Sequence, residues 1–399
     1  MTKNLFTWLE QDAIRHTFGY YFLFICLGLG MAITGPTLPA LATQTGSTLG
    51  RMGLLFLASS IGVTLGTLAS GWIFDRVQGH PVLGGAEIFS ALMLFCIPFV
   101  PWFWLLVVVM VCLGFTGGIV NTGANTLLSW THGEKVGPFM NALHFFFGLG
   151  AFVSPLIVGQ VITIEGGYRW AYWVLAAFGL LVGLSMLTMR GSPEPIHARS
   201  GEKVQKEAGS FPYPQVIAAM LFLFFYVGAE IAFGGWIYTY ATSLNLATIS
   251  AAAYLTSAFW GAFTVGRLVS IPVATRFKPK QVIPVAVLGC LVMLIVVILF
   301  PGSTAVLWIA TAGLGFCMAP VYPTGFTLAG QSVNLTGRIS AIILLGDSFG
   351  GMILPTLVGQ VIEGSGPGAM VYLVFGSLIF NALAFAGMLR LRRVQPSMV

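Results

Sequence analysis

Charge is scarce in this chain. Of its 399 residues, 8% are Asp, Glu, Lys or Arg, where a soluble globular protein carries about 25%. So thin a supply cannot cover a water-facing surface, which excludes a soluble protein. Acid is rarer than base, with 12 acidic against 18 basic residues. Cysteine is nearly lacking as well. Cys26, Cys96, Cys112, Cys290 and Cys317 each sit inside an apolar run, and no pair has Cys-x-x-Cys or metal-ligand spacing. They read as small packing residues rather than as a disulfide frame or a metal centre. No nucleophile–base set and no phosphate loop occurs, so an enzyme and a bound cofactor are not expected. No basic stripe interleaved with aromatics occurs either, which argues against nucleic acid as a partner.

Apolar residues fill the place of the missing charge, at 57% of the chain. The runs 105–113 and 285–300 are continuously apolar, whereas a membrane barrel strand alternates. Segments in lipid must satisfy their own backbone hydrogen bonds, so these runs read as helices. At about 20 residues per span, the chain is expected to be an all-α membrane protein of twelve transmembrane helices. They are placed near 17–42, 50–74, 82–99, 102–129, 138–163, 169–189, 213–241, 249–273, 281–300, 304–331, 338–362 and 369–390. The first apolar run opens a repeat copy, so it is read as a span rather than a cleaved signal. The stretch 190–212, rich in charge, Pro, Gly and Ser, is read as a cytoplasmic linker. It divides a six-helix bundle over 1–189 from a second over 213–399.

The two bundles repeat one another at an offset of 200 residues. Gly28, Ala32 and Gly35 return as Gly228, Ala232 and Gly235. Thr64, Gly66, Leu68, Ser70 and Arg76 return as Thr264, Gly266, Leu268, Ser270 and Arg276. Pro155 and Gly159-Gln160-Val161-Ile162 return as Pro355 and Gly359-Gln360-Val361-Ile362. A repeat this long in so apolar a chain predicts two similar halves facing one another across a membrane-spanning cavity. All Lys and Arg except Arg51, Arg169 and Arg267 fall on the side that carries the N-terminus in this layout. The positive-inside rule then puts both termini in the cytoplasm.

The loop Gly71-Trp72-Ile73-Phe74-Asp75-Arg76-Val77-Gln78-Gly79-His80 resembles the Gly-x-x-x-Asp-Arg signature of the major facilitator superfamily. Three longer segments are similar to the sugar-transporting branch that includes fucose permease and the sodium-dependent glucose transporter-like proteins. They are Tyr226–Tyr240, Pro138–Gly148 and Asn121–Thr126. The resemblance implies the twelve-helix, two-half fold and transport by alternating access. It also implies a cytoplasmic latch, which here would use Gly71, Asp75, Arg76, Glu87, Arg267 and Arg276. Relatives commonly carry a carboxylate where Asn121 stands, so a coupling acid in that helix is not available.

Ionisable groups at membrane depth cost about 2.5–3.5 kcal/mol or more, and are functional suspects by default. Those that break the repeat are the first suspects. Glu230 stands opposite Gly30, Asp347 opposite Phe147 and His144 opposite Leu344. Glu230 is expected to accept from sugar hydroxyls and to bind sodium or a proton, with Tyr226 one turn before it on the same face. Asp347 is either a second ion-coupling acid or a structural partner of Arg267. Glu87 is expected beside Arg76 or Arg338. Asn121 and Asn125, and Asn141 and His144, form two helix-face pairs. Amides both donate and accept, which suits a polyol, and a histidine can donate or relay a proton. Trp236, Trp260 and Tyr322 are candidates for stacking on a sugar, and interfacial packing is the alternative for Trp236.

The expected function is import of a neutral sugar, a hexose, by sodium or proton symport. The expected setting is a monomer in the plasma membrane or bacterial inner membrane. The alternative is a proton-antiporting exporter of drugs or metabolites on the same fold.

Overall fold

The structure is a computed structural model that describes residues 2–74, 76–189, 191–193, 212–333 and 337–391. Asp75, Arg190, most of the linker expected at 190–212, and Arg392 and Arg393 lie outside the described residues, as does the side chain of Arg338. The described residues form α1 (Thr2–Ala32), α2 (Thr34–Thr45), α3 (Leu49–Ile73), α4 (Gly79–Cys96), α5 (Phe103–His132), α6 (Val136–Val161) and α7 (Gly167–Leu187). There follow α8 (Tyr213–Ser243), α9 (Ile249–Arg276), α10 (Pro279–Leu299), α11 (Thr304–Met318), α12 (Val321–Gly330), α13 (Gly337–Ser365) and α14 (Ala369–Arg390). Among the described residues there is no strand. Eleven helices are long and apolar enough to cross a membrane, or twelve if the bent pair α1–α2 is one span. The protein is an all-α integral membrane protein.

Proline explains both breaks within spans. α1 and α2 meet at 49°. Pro36 lacks an N–H, and its ring crowds the carbonyl of Ala32, where α1 stops. α11 ends at Met318 and α12 restarts at Val321. Here Pro320 and Pro323 release the carbonyls of Phe316 and Ala319 by the same mechanism. Thr248 and Ser303 open α9 and α11 by accepting from Ala251 and Val306 N–H, each at 3.3 Å, as N-caps do.

The helices group into two compact units. The first holds α1, α4 to α7 and the part of α3 from Ile61. Its centre is the crossing of α1 and α6, where a Cβ on Gly28 would run into the Phe147 carbonyl and one on Gly150 into the Ile25 carbonyl. Small residues let helix backbones touch where lipid offers no hydrophobic drive. Ser154 adds a 2.8 Å bond to the Leu29 carbonyl.

The second unit holds α2, residues 49–60 of α3, and α8 to α14. Its central crossing, α8 with α13, uses the repeat mates of the same glycines, Gly228 and Gly350. α14 is tied to α8 by Asn381 Nδ2 on the Phe222 carbonyl (2.8 Å) and Ser377 Oγ on the Phe225 carbonyl (2.7 Å). The first repeat copy thus gives part of its chain, 34–60, to the unit built mainly from the second. Within that unit Gly35 of α2 meets its own repeat mate. A Cβ on Gly35 would lie 2.9 Å from the Gly235 carbonyl oxygen.

Candidate functional site

In the second unit, four helices bring five polar side chains together. On α8, Tyr226 and Glu230 are one turn apart and share a face. Tyr226 is fully buried and Glu230 is 8% exposed. The break between α11 and α12 leaves the Met318 carbonyl without a helical partner, and the Tyr226 hydroxyl donates to it at 2.8 Å. The same hydroxyl lies beside the Glu230 carboxyl. α12 then places Tyr322 with its ring centroid 6.4 Å from that of Tyr226. The Tyr322 hydroxyl donates to Asp347 Oδ2 on α13 at 3.4 Å, a long bond. Glu230 and Asp347 feel one another electrostatically.

α9 contributes the cation. The Arg267 guanidinium stacks over the Phe263 ring at 4.7 Å and acts on Glu230 and on both tyrosines. Its Nε is buried without a hydrogen-bond partner. Two turns earlier on α9, Trp260 packs against the space above Gly234, where a Cβ would lie 2.7 Å from the indole. Trp260 is 3% exposed, and its Nε1 is buried without a partner. A buried donor left unpaired costs about 1–3 kcal/mol, so this edge is a place where a polar ligand atom or a water would be welcome. Trp236 differs. It is wholly buried, and its Nε1 donates to the Pro355 carbonyl at 2.9 Å.

In the first unit the candidates are amides. Asn121 on α5 is exposed and Asn125 half-buried. Asn125 Nδ2 donates to the Asn121 carbonyl at 2.7 Å and to its Oδ1 at 3.3 Å. Asn141 is exposed on α6, while His144 is half-buried with its ring edge-on to Phe24 at 5.6 Å. Polar side chains exposed at membrane depth belong on a water-filled surface rather than in lipid.

Of the residues expected to form a latch, Asp75 lies outside the described residues. Gly71 is exposed, and Arg76 folds back on its own helix, over the Trp72 ring at 4.4 Å with Nη1 on the Trp72 carbonyl at 3.4 Å. Arg276 lies exposed in the last turn of α9. Glu87 is 4% exposed. Its polar partner is the Cys26 thiol, and it occupies the space opposite Gly179 instead of sitting beside Arg76. Asp347 finds its hydroxyl partner in Tyr322. The Met318 carbonyl was not foreseen. The proline pair after it is the signal that such a carbonyl would be free.

Comparison with known proteins places this geometry in a family. The model of the Major Facilitator Superfamily matches residues 20–355. The chain is 32% identical to Sodium-dependent glucose transporter 1A of Mus musculus, over 93% of this chain and 95% of that one. It is 30% identical to Sodium-dependent glucose transporter 1 of Homo sapiens, over 91% and 76%. Among solved structures, a D-xylose-proton symporter superposes with a TM-score of 0.77 at 13% identity, covering 96% of this chain and 98% of that one. The nucleoside transporter NupG superposes with a TM-score of 0.71 at 13% identity, covering 96% and 99%. With a fold of this kind and a family model running through both repeat copies, the chain belongs to the Major Facilitator Superfamily and is a transporter, not an enzyme.

Proposed function

We propose that this protein is a secondary active transporter that imports a neutral sugar, a hexose, coupled to sodium or protons. The observation that carries the reading is Glu230, a buried carboxyl one turn from Tyr226, with Asp347 and a single arginine in its electrostatic surroundings. Two acids and one arginine leave a cation wanting, and Glu230 and Asp347 are its proposed seats. The sugar contacts are assigned to uncharged groups: Asn121, Asn125, Asn141 and His144 on the first unit, and Tyr226, Trp236, Trp260 and Tyr322 with Glu230 on the second. An anionic substrate would want more cavity cations than Arg267 alone. Relatives named sodium-dependent glucose transporters support both the substrate class and the coupling.

In this reading a cation and a sugar together favour reorientation, because each must bind one state better than the other to drive the change. In this reading both termini lie in the cytoplasm, with the linker at 190–212 on the same side, and the protein is a monomer in a plasma or bacterial inner membrane. The test is glucose uptake into proteoliposomes under a sodium gradient, a proton gradient or neither. Accumulation under one gradient is expected. No accumulation under either removes symport, and gradient-driven efflux of apolar drugs supports an exporter instead. Glu230→Gln is expected to abolish accumulation while the protein still folds and inserts. Normal coupling in that variant would remove Glu230 from the mechanism.

A further inference from the structure

The second unit contains a seam to which the acids, amides and tyrosines of the candidate site do not contribute. The first turns of α3 lie directly on the last turns of α13. Gly50 and Gly53 face Gly359 and Thr356. A Cβ on Gly53 would lie 3.0 Å from the Thr356 carbonyl oxygen, and one on Gly359 would lie 3.0 Å from the Gly50 carbonyl oxygen. Backbone rests on backbone, so side chains supply almost no grip. Two polar clasps do. Thr356 Oγ1 reaches the Gly53 carbonyl at 3.0 Å, its one proton shared with the Met352 carbonyl of its own helix at 2.7 Å. One helical turn beyond Gly359, Glu363 accepts from the Gly50 N–H at 2.8 Å and takes the Thr48 hydroxyl as well. The first N–H groups of a helix have no partner within it and carry partial positive charge, so a carboxylate there is favoured. Glu363 is exposed, yet its oxygens are spent on the neighbouring helix rather than on water alone.

The two sides of this seam come from opposite repeat copies. α3 belongs to the first copy and α13 to the second. In a transporter of this architecture the copies part at one end of the bundle at a time, so a seam joining them must open and close in every cycle. The glycine surfaces fit but do not hold, which leaves the polar clasps to set how readily the seam opens. We infer that Glu363 is a latch residue of the transport cycle, fastening the first turn of α3 to α13 in the closed seam and releasing it when the seam opens. This rests on alternating access and not on the identity of the sugar. It makes Glu363 a positioning residue, with no place in binding substrate.

Two measurements on the full-length protein test it. The first is a cysteine pair, Gly50→Cys with Glu363→Cys. A Cβ on Gly50 lies 2.8 Å from Glu363 Cγ, the place a cysteine sulfur at 363 takes, and a disulfide holds Cβ and the far sulfur about 3 Å apart. Oxidation is expected to form the bond and arrest glucose exchange, with recovery on reduction. A complete disulfide with undiminished exchange overturns the latch.

The second measurement uses no sugar. Phe56→Cys places a thiol on α3 about one turn beyond Gly53, and a membrane-impermeant maleimide reads how often the seam opens. Adding Glu363→Ala is expected to raise the labelling rate about two- to tenfold, the range one net hydrogen bond commands. Glu363→Gln, which keeps an acceptor for Gly50, is expected to stay near the parent. Equal labelling in all three, with unchanged melting temperature, overturns the latch. If Glu363→Ala does not fold, the cysteine pair decides. If the parent moves no glucose, the sugar reading fails while the maleimide comparison still tests Glu363.

Discussion

Tyr226 shows how one hydroxyl can serve two roles. It gives its proton to a carbonyl that the break between α11 and α12 leaves free, and it stands beside the Glu230 carboxyl. Tyr226→Phe leaves the Met318 carbonyl buried and unpaired. The expected cost is about 1–3 kcal/mol of stability, read as a lower melting temperature in detergent. Trp260 makes the opposite prediction. Its Nε1 has no partner to lose, so Trp260→Phe is expected to leave the melting temperature nearly unchanged and to weaken sugar binding, measured by titration calorimetry. Unaltered affinity would mean that the indole only packs against Gly234. At this scale the sequence exposed the acids, because Glu230 and Asp347 interrupt the repeat. It could not expose their company. The approach of Tyr322 to Asp347 needs the packing of α12 on α13, and Glu87 found Cys26 because α4 turns it inward, away from the loop that carries Arg76. Glu363 also interrupts the repeat, where the first copy has Thr163, and that was its signal.

Helices were more legible than their neighbours. Apart from the start of the first span, expected near 17 and carried by α1 back to Thr2, apolar runs bounded by Gly, Pro and polar residues placed the spans within a few residues, because lipid leaves the backbone no alternative. The breaks at Ile33 and Ala319 were not foreseen, although Pro36 and the pair Pro320 and Pro323 announce them. Proline in a span bends or interrupts it according to what the freed carbonyls can find, and that is decided by the neighbouring helices. The crossings offer a test between repeat mates. On α1, a Cβ at Gly28 collides with the Phe147 carbonyl, whereas at Gly228 on α8 the nearest atom is the Gly350 carbonyl oxygen at 3.0 Å. Gly28→Ala is therefore expected to destabilise more than Gly228→Ala, by comparison of melting temperatures. Equal losses would show that α1 and α6 can spread apart as readily as α8 and α13.

For the whole molecule, duplication supplies the scaffold and asymmetry supplies the chemistry. The crossing glycines recur in both copies, while the carboxylates, the amides and His144 do not. Composition and repeat together made the architecture readable. They could not show that 34–60 packs with the unit built from the second copy, since a helix shared between units leaves no mark in local sequence. Gly35 and Gly235 carry that observation further. A residue that meets its own counterpart would share one environment with it only if the copies were interchangeable there, as on the two-fold axis of a symmetric dimer. They are not: a Cβ on Gly35 would lie against the Gly235 carbonyl, and one on Gly235 would lie 2.6 Å from the Phe56 ring. A methyl on Gly35 presses on backbone, which cannot yield, whereas a methyl on Gly235 presses on the end of a side chain, which can turn aside, so Gly35→Ala is expected to lower the melting temperature more than Gly235→Ala. Equal losses would show that the Phe56 ring is held as firmly as the backbone, and the contact between the mates is thus a place where the copies touch without being alike.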